Sequence, residues 1–215
     1  MTVAAKICGL STAEGVAAAL AGGAAYLGFV FYPPSPRNVS PDEAAQLCAA
    51  VPSEVHCVGL FVDADDAAIA RVLDAAPIDI LQFHGNETPE RVADAKLRHK
   101  RPVMKAVSIA GPEDVLKAAR WDDVADIILF DAKPPRLPQA LPGGNGLAFD
   151  WQLLAGRTWK RPWMLSGGLT PQNVAEAVRT TGAPAVDVSS GVERRPGEKD
   201  QAKIAAFLAE TRKLP

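Results

Sequence analysis

The sequence of 215 residues lacks several features that would mark particular classes of protein. No apolar run is long enough to cross a bilayer, and Lys6 interrupts the N-terminus before a signal-peptide core can form. The formal net charge of −2 leaves no basic excess, so neither nucleic acid nor an anionic membrane is expected as a partner. These absences predict a cytoplasmic protein.

Cysteine is scarce as well, and Cys8, Cys48 and Cys57 do not have the spacing of metal ligands. An odd number of cysteines favours free thiols in a reducing cytosol. The content of 48% hydrophobic and 22% charged residues is ordinary for a globular protein with a sizeable core. We therefore expect residues 1–215 to form a single domain without a metal site.

Apolar, β-branched segments alternate with alanine-rich helical segments along the whole chain. Each crossover is long enough for a helix, and the strands are continuously apolar, as in parallel sheets buried on both faces. The pattern predicts an α/β protein of eight strand–helix units, a (β/α)8 TIM barrel. An open doubly wound sheet is the alternative, although no G-x-G-x-x-G follows the first strand. The predicted strands are residues 4–8, 26–31, 55–62, 79–84, 103–107, 126–130, 162–165 and 185–188.

The last two predicted strands each run into a turn of small residues. Strand seven leads into Ser166-Gly167-Gly168, and Thr170 and Pro171 then suit the cap and first position of a helix. Strand eight leads into Ser189-Ser190-Gly191. Glycine lets backbone N–H groups approach an anion, and a barrel commonly binds phosphate after strands seven and eight. The pair of turns predicts a phosphate site; plain tight turns are the alternative.

Reactive side chains stand at other strand ends, where barrel enzymes have their active sites. A thiol at Cys8, near phosphate-binding N–H groups, would have a lowered pKa and act as a base; an inert buried cysteine is the alternative. Asp131 follows an apolar strand, where a raised pKa would suit a general acid, or it caps a turn. Arg37 lies in a proline-rich loop and is either a carboxylate-binding or a surface residue.

Two further polar residues, Asp187 and His84, are predicted at or near the ends of strands. Asp187 lies within strand eight and is either a buried partner of a cation or backbone N–H group, or a substrate contact. His84 is read as a satisfied strand-end histidine. Between strands six and seven, a loop over 132–149 is long enough to indicate a function.

The chain as a whole resembles the phosphoribosylanthranilate isomerase family of tryptophan biosynthesis, whose members are (β/α)8 barrels. The resemblance spans nearly the whole chain and keeps the family's order. The segments that carry it are 6–10 (KICGL), 28–32 (GFVFY) with Ser35-Pro36-Arg37, 58–62 (VGLFV), 81–85 (LQFHG), 129–133 (LFDAK), 143–146 (GGNG) with 149–151 (FDW), 165–169 (LSGGL) and 187–193 (DVSSGVE).

The resemblance implies an Amadori rearrangement of N-(5-phospho-β-D-ribosyl)anthranilate to 1-(2-carboxyphenylamino)-1-deoxy-D-ribulose 5-phosphate, with no cofactor and no metal. It implies Asp131 as general acid, Cys8 as general base and Arg37 as the residue that holds the anthranilate carboxylate. The implied substrate-binding residues are Arg37, Gly144, Gly146, Gly167, Gly168, Asp187, Ser189 and Ser190. The partner would be this small molecule, and the enzyme would be a monomer or a homodimer.

Three other functions stay open on the residues alone. The first is another phosphosugar isomerase, the second a non-catalytic barrel that binds a phosphometabolite. The third is a redox switch at Cys8, which has no resolving cysteine near it in sequence.

Overall fold

A computed structural model describes residues 2–134 and 141–215, and eight parallel strands form a closed barrel, which confirms the predicted fold. The strands follow chain order around the barrel, and β8 pairs with β1 to close it. The strands are β1 (Ala4–Cys8), β2 (Tyr26–Phe31), β3 (His56–Phe61), β4 (Ile80–Phe83), β5 (Val103–Ile109), β6 (Ile127–Ala132), β7 (Trp163–Leu165) and β8 (Ala185–Val188). Residues 135–140 of the predicted loop lie outside the described residues.

The helices surround the barrel, and most of them begin at a residue whose side chain caps the helix. Ser40 and Glu43 form a capping box: the Ser40 side chain accepts from the Glu43 N–H, and the Glu43 carboxylate accepts from the Ser40 N–H. The α-helices of the described residues are α1 (Ala13–Ala21), α2 (Pro41–Cys48), α3 (Asp66–Ala75), α4 (Pro89–His99), α5 (Pro112–Lys117), α6 (Val174–Thr181) and α7 (Gln201–Thr211). None of the described helices is long and apolar enough to cross a membrane.

The sixth crossover differs from the predicted strand–helix unit. Between β6 and β7 the described residues form only a short 3-10 helix, Trp151–Leu153, which Asp150 caps by accepting from the Gln152 N–H. Proline and glycine dominate the preceding loop and disfavour a regular α-helix there. This crossover is therefore free to contribute a loop to the mouth of the barrel.

Helix α6 also begins later than predicted, at Val174 rather than Pro171. Thr170 is not its cap, because Asn173 Oδ1 accepts from the Thr170 N–H (2.7 Å) and holds a turn in front of the helix. Asn173 Nδ2 also donates to the carbonyl of Gly168 (2.9 Å). The phosphate-site prediction assumed that the N-terminus of this helix directly follows the glycine turn. In the structure it does not.

Beyond β8 the chain forms two small elements that the sequence did not indicate. A 3-10 turn over Ser190–Val192 leads into an antiparallel hairpin of β9 (Glu193–Arg195) and β10 (Glu198–Lys199). The side chains of Glu193 and Lys199 are almost fully buried, at 3% and 4% exposure. The hairpin therefore turns two charged side chains inward.

The inside of the barrel changes character along its axis. Side chains alternate between the two faces of each strand, so every second residue points inward. An apolar cluster fills one level: Val58, Ile80, Met104, Ala106, Leu129, Met164 and Ala185. Nearer the carboxyl ends of the strands, inward positions are polar: Lys6, Cys8, Gln82, His84, Asp131, Ser166 and Asp187, all buried.

Candidate active site

A cavity opens at the carboxyl ends of the strands and brings together all of the site residues predicted from the sequence. The barrel strands and the loops that follow them both contribute to its lining. Among the lining residues are Cys8, Arg37, Asp131, Gly144, Gly146, Gly167, Gly168, Asp187, Ser189 and Ser190. The described residues contain no group of three or more His, Cys, Asp or Glu side chains placed to hold a metal ion.

Cys8 ends β1 with its side chain over Gly28 of the neighbouring strand. A Cβ atom on Gly28 would lie 2.9 Å from Cys8 Sγ and 3.0 Å from Lys6 Nζ, so only glycine leaves room for both groups. Burial raises the pKa of the Cys8 thiol, while the neighbouring Lys6 ammonium lowers it in part. The predicted lowering of the Cys8 pKa is therefore wrong, because the thiol is more deeply buried than a strand-end position suggested.

Lys6 is fully buried and forms an ion pair with Asp187 on β8, with 2.8 Å between Nζ and Oδ1. Burial opposes the charge on Lys6, but Asp187 and Cys8 outweigh it and leave the pKa of Lys6 raised. Ser166 Oγ donates to the other oxygen of Asp187 (3.1 Å). Asp187 is thus the buried partner of a cation, one of its two sequence-based readings.

Asp131 lies at the end of β6 in a different environment. Its Oδ1 accepts from the N–H of Ala132 (2.8 Å), and its Oδ2 lies 3.1 Å from His84 Nε2. Gln82 Nε2 approaches His84 Nδ1 at 3.1 Å. The directions of these two hydrogen bonds follow from the tautomer of His84 and the orientation of the Gln82 amide, so His84 links Gln82 to Asp131 in either case.

Arg37 is buried and points into the cavity from the loop after β2. Glu193 accepts two hydrogen bonds from it, from Nε and from Nη2, both at 2.8 Å. Lys199 Nζ donates to the same carboxylate (2.7 Å) and to Ser189 Oγ (3.2 Å). Burial raises the pKa of Glu193, but Arg37 and Lys199 lower it by more. The pKa of Glu193 therefore lies below its usual value, and the carboxylate stays charged.

Glycines shape the loops that cover the cavity. Gly167 and Gly168 have φ values of 87° and 64°. A Cβ on Gly167 would lie 2.7 Å from the backbone nitrogen of Ala132 at the end of β6, and a Cβ on Gly168 would lie 2.7 Å from that of Ala148 in the β6–β7 crossover. Gly143 and Gly144 of that crossover lie against His84 and Arg37 in the same close manner. The glycines let the loop backbone reach both Asp131 and Arg37.

The sequence-based reasoning missed three charged residues of the site. Lys6 had a usable signal, because it is two residues before Cys8 on a strand and therefore shares its face. Glu193 belongs to the segment 187–193 that carries the family resemblance, but its contact with Arg37 spans 156 residues of chain and has no local signal. Lys199 had no signal in the sequence.

Comparison with known proteins gives a consistent result. The family described as "N-(5'phosphoribosyl)anthranilate (PRA) isomerase" matches residues 5–210. The N-(5'-phosphoribosyl)anthranilate isomerase of Rhodospirillum centenum is 59% identical over 209 residues, which are 97% of this chain and 98% of that protein. The crystal structure of phosphoribosyl anthranilate isomerase from Thermotoga maritima superposes with a TM-score of 0.87 at 36% identity, covering 99% of this chain and 100% of that one.

A second similar crystal structure contains a ligand. It is a phosphoribosyl anthranilate isomerase in complex with reduced 1-(o-carboxyphenylamino)-1-deoxyribulose 5-phosphate. It is 34% identical to this chain with a TM-score of 0.83, and the match covers 99% of this chain and 100% of that one.

Proposed function

The chain belongs to the N-(5'-phosphoribosyl)anthranilate isomerase family, and on that premise we propose that it catalyses the Amadori rearrangement of N-(5-phospho-β-D-ribosyl)anthranilate in tryptophan biosynthesis. The product is 1-(2-carboxyphenylamino)-1-deoxy-D-ribulose 5-phosphate. One observation carries the assignment of roles: Cys8, Asp131 and Arg37, from three separate parts of the chain, line a single cavity. Residues 1–215 act as one catalytic domain, and the cytoplasm is the proposed compartment.

Asp131 is the general acid of the first step. It gives its proton to the furanose ring oxygen, the C1–O bond breaks, and the nitrogen lone pair forms an iminium ion. Hydrogen bonds to His84 and to the Ala132 N–H fix the orientation of the carboxyl group. Fixed orientation favours proton transfer, because the donor must lie within hydrogen-bond reach of the ring oxygen.

Cys8 is the general base of the second step. Its thiolate takes the proton from C2 of the sugar, and the electrons of that C–H bond neutralise the iminium ion to give an enolamine. The enolamine then tautomerises to the ketone. The iminium ion is itself an electron sink that acidifies the C2 proton, so the step uses neither a metal nor an organic cofactor. Lys6 favours the thiolate form, since its ammonium lowers the pKa of the buried thiol.

The two ends of the substrate are both anionic, and we assign each to a different side of the cavity. Arg37 binds the anthranilate carboxylate, because a planar guanidinium matches the geometry of a carboxylate. The turns with Gly167, Gly168, Ser189 and Ser190 bind the phosphate, together with Gly144 and Gly146 of the β6–β7 loop. All of these residues line the cavity, and turns of small residues let backbone N–H groups approach an anion, which supports this assignment.

The decisive experiment follows the loss of fluorescence of the anthranilate-ribosyl substrate, generated in situ, after addition of the purified protein. We expect a fast decay that is unchanged by a metal chelator. A protein that binds the reduced product analogue without turnover would instead be a phosphometabolite-binding barrel or an isomerase of another phosphosugar. In that case the roles of Cys8 and Asp131 would have to be withdrawn.

A further inference from the structure

Glu193 holds Arg37 along one edge of its guanidinium. Glu193 accepts from Nε and Nη2 at 2.8 Å each, so the carboxylate occupies the edge formed by these two nitrogens. The side chains of both residues are at most 5% exposed. A buried bidentate pair of this kind restricts rotation of the guanidinium plane.

The remaining donors of Arg37 face the β6–β7 loop. A guanidinium has five N–H donors, and Glu193 accepts two of them. Nη2 makes a longer hydrogen bond, 3.2 Å, to the carbonyl of Gly144. Nη1 lies close over the same glycine, since a Cβ on Gly144 would be 2.7 Å from it. Among the described residues, the two N–H groups of Nη1 have no hydrogen bond, and the only other contact of this end is the long bond from Nη2 to Gly144. A carboxylate that replaces the Gly144 carbonyl would bind at the end of the guanidinium formed by Nη1 and Nη2.

The charges around Arg37 also favour an anion. Arg37 and Lys199 are cations that share the Glu193 carboxylate, with Lys199 Nζ at 2.7 Å from Oε1. Two positive charges against one negative charge leave an excess of one positive charge in a buried cluster. A second carboxylate at the open edge of Arg37 would neutralise this excess.

The hairpin explains how Glu193 keeps its place. Glu193 and Lys199 are direct partners in the pairing of β9 with β10. Gly197 at the turn donates its N–H to Glu193 Oε2 (3.3 Å), and Lys203 Nζ donates to the Glu193 carbonyl. Both the backbone and the carboxylate of Glu193 are thus fixed by neighbouring groups.

We propose that Glu193 is a positioning residue for substrate specificity: it occupies one edge of Arg37 so that the opposite edge receives the anthranilate carboxylate. Lys199 supports this role by holding the Glu193 carboxylate. The inference rests on the proposed function, because it concerns the carboxylate of that substrate. It adds a residue that would not touch the substrate but would determine how strongly the enzyme prefers a carboxylated one.

The test compares kcat/KM for two substrates, N-(5-phosphoribosyl)anthranilate and the analogue made from aniline, which lacks the carboxylate. Glu193→Gln keeps the size of the side chain but removes its charge and replaces one acceptor oxygen with an NH2 group, which cannot accept a hydrogen bond from Arg37 or Lys199. We expect the preference for the carboxylated substrate to fall about tenfold or more, mainly through KM. The reason is that the charge-assisted bidentate pair between Glu193 and Arg37, which orients the guanidinium, is lost. Turnover of the aniline analogue should change far less.

A matched control lies on the same hairpin. Glu198 pairs with Arg195 on the outer side, where both side chains are largely exposed, so Glu198→Gln should leave the preference unchanged. Glu193→Asp keeps the charge, so it should retain part of the preference that Glu193→Gln loses. It also serves as the test variant if Glu193→Gln folds poorly. Circular dichroism checks the fold of each variant.

A double-mutant cycle with Arg37→Met separates positioning from general damage. If Glu193 acts through Arg37, adding Glu193→Gln to Arg37→Met changes the preference no further. Equal losses for both substrates, or additive losses in the cycle, would overturn the proposal. An inactive wild-type protein would instead refute the proposed function and the inference with it, whereas an active wild type with an unaltered preference in Glu193→Gln would refute the inference alone.

Discussion

The two sides of the cavity solve opposite electrostatic problems. On the β1–β8 side, Cys8 lies beside the Lys6 ammonium, which pairs with Asp187. On the β4–β6 side, Asp131 is hydrogen-bonded to His84 and to a backbone N–H. Among the described residues, no lysine or arginine forms an ion pair with Asp131. A cation is present where a base is proposed and is missing where an acid is proposed.

The cation on the β1–β8 side matches the protonation state that the proposed base needs. A nearby cation favours the charged form of a thiol, and a base must be deprotonated to act. The same cation beside a carboxyl group would favour the carboxylate and remove the proton that an acid must deliver. The positions of lysine and arginine around the mouth of a barrel therefore help to predict which side chain acts as base and which as acid.

Loss of the base should have the largest effect. Cys8→Ser replaces the thiol with a far less acidic hydroxyl, and we expect kcat to fall about 10²–10⁴-fold, the usual contribution of a positioned general base. Binding of the reduced product analogue, measured by calorimetry, should persist because the carboxylate and phosphate contacts are untouched. Wild-type turnover in this variant would remove Cys8 from the mechanism.

Loss of the acid should be of similar size but should affect the other step. Asp131→Asn keeps an oxygen for the Ala132 N–H but cannot protonate the ring oxygen, so kcat should also fall about 10²–10⁴-fold. Single-turnover measurements with an open-chain aldehyde mimic of the sugar, which needs no ring opening, should show a smaller loss than in Cys8→Ser. Equal losses on this mimic would contradict the division of roles.

Removing the cation of the base side should move a pH profile. The proposed role of Cys8 requires the thiolate, and burial raises the pKa of this thiol, so kcat/KM should increase as the pH rises above neutrality. Lys6→Met removes the group that lowers this pKa, so the rising limb should shift to higher pH. The variant also leaves Asp187 buried without its partner, which costs about 3–5 kcal/mol of unfolding free energy.

A double variant separates these two effects of Lys6. Lys6→Met with Asp187→Asn removes both charges of the pair and should recover stability in thermal unfolding. The rising limb of the pH profile should nevertheless stay shifted toward higher pH. An unshifted limb in both variants would mean that the ammonium does not act on the thiol.

The smallest effect is expected for His84 on the acid side. His84→Gln removes a hydrogen bond with Asp131, so kcat should fall by about tenfold, which corresponds to a typical hydrogen bond of about 1.4 kcal/mol. The alkaline limb set by Cys8 should not move. His99 on α4, which pairs with Asp66 away from the cavity, provides the matched control in His99→Gln.

The strands and most helix starts could be predicted from the sequence because their causes are local. Apolar runs and capping residues such as Ser40 and Thr88 act within a few residues of chain. The start of α6 could not, since the choice between Thr170 and Asn173 as cap depends on a turn that also bonds to Gly168. Two capping residues three positions apart leave the boundary to tertiary contacts.

The residues of the site at strand ends could be predicted from the sequence, but the charged residues that support them could not. Cys8, Asp131 and Asp187 stand at strand ends, and the topology of a barrel alone brings such ends together. The direction of the Cys8 pKa shift was wrong, because it depends on how deeply the thiol is buried and on Lys6 beside it. The partnership of Arg37 with Glu193 joins distant parts of the chain, and no local pattern encodes it.

The Lys6–Asp187 pair also sets the moment at which a newly made chain becomes able to work. The two residues are 181 positions apart, so at ribosomal rates of about 5–20 residues per second Lys6 precedes its partner by roughly 10–35 s. Until β8 pairs with β1, the barrel is open, and the cation beside Cys8 lacks its counter-charge. Nearly the whole chain must therefore be translated before the Lys6–Asp187 pair beside the proposed base can form. We expect incomplete chains to have no isomerase activity.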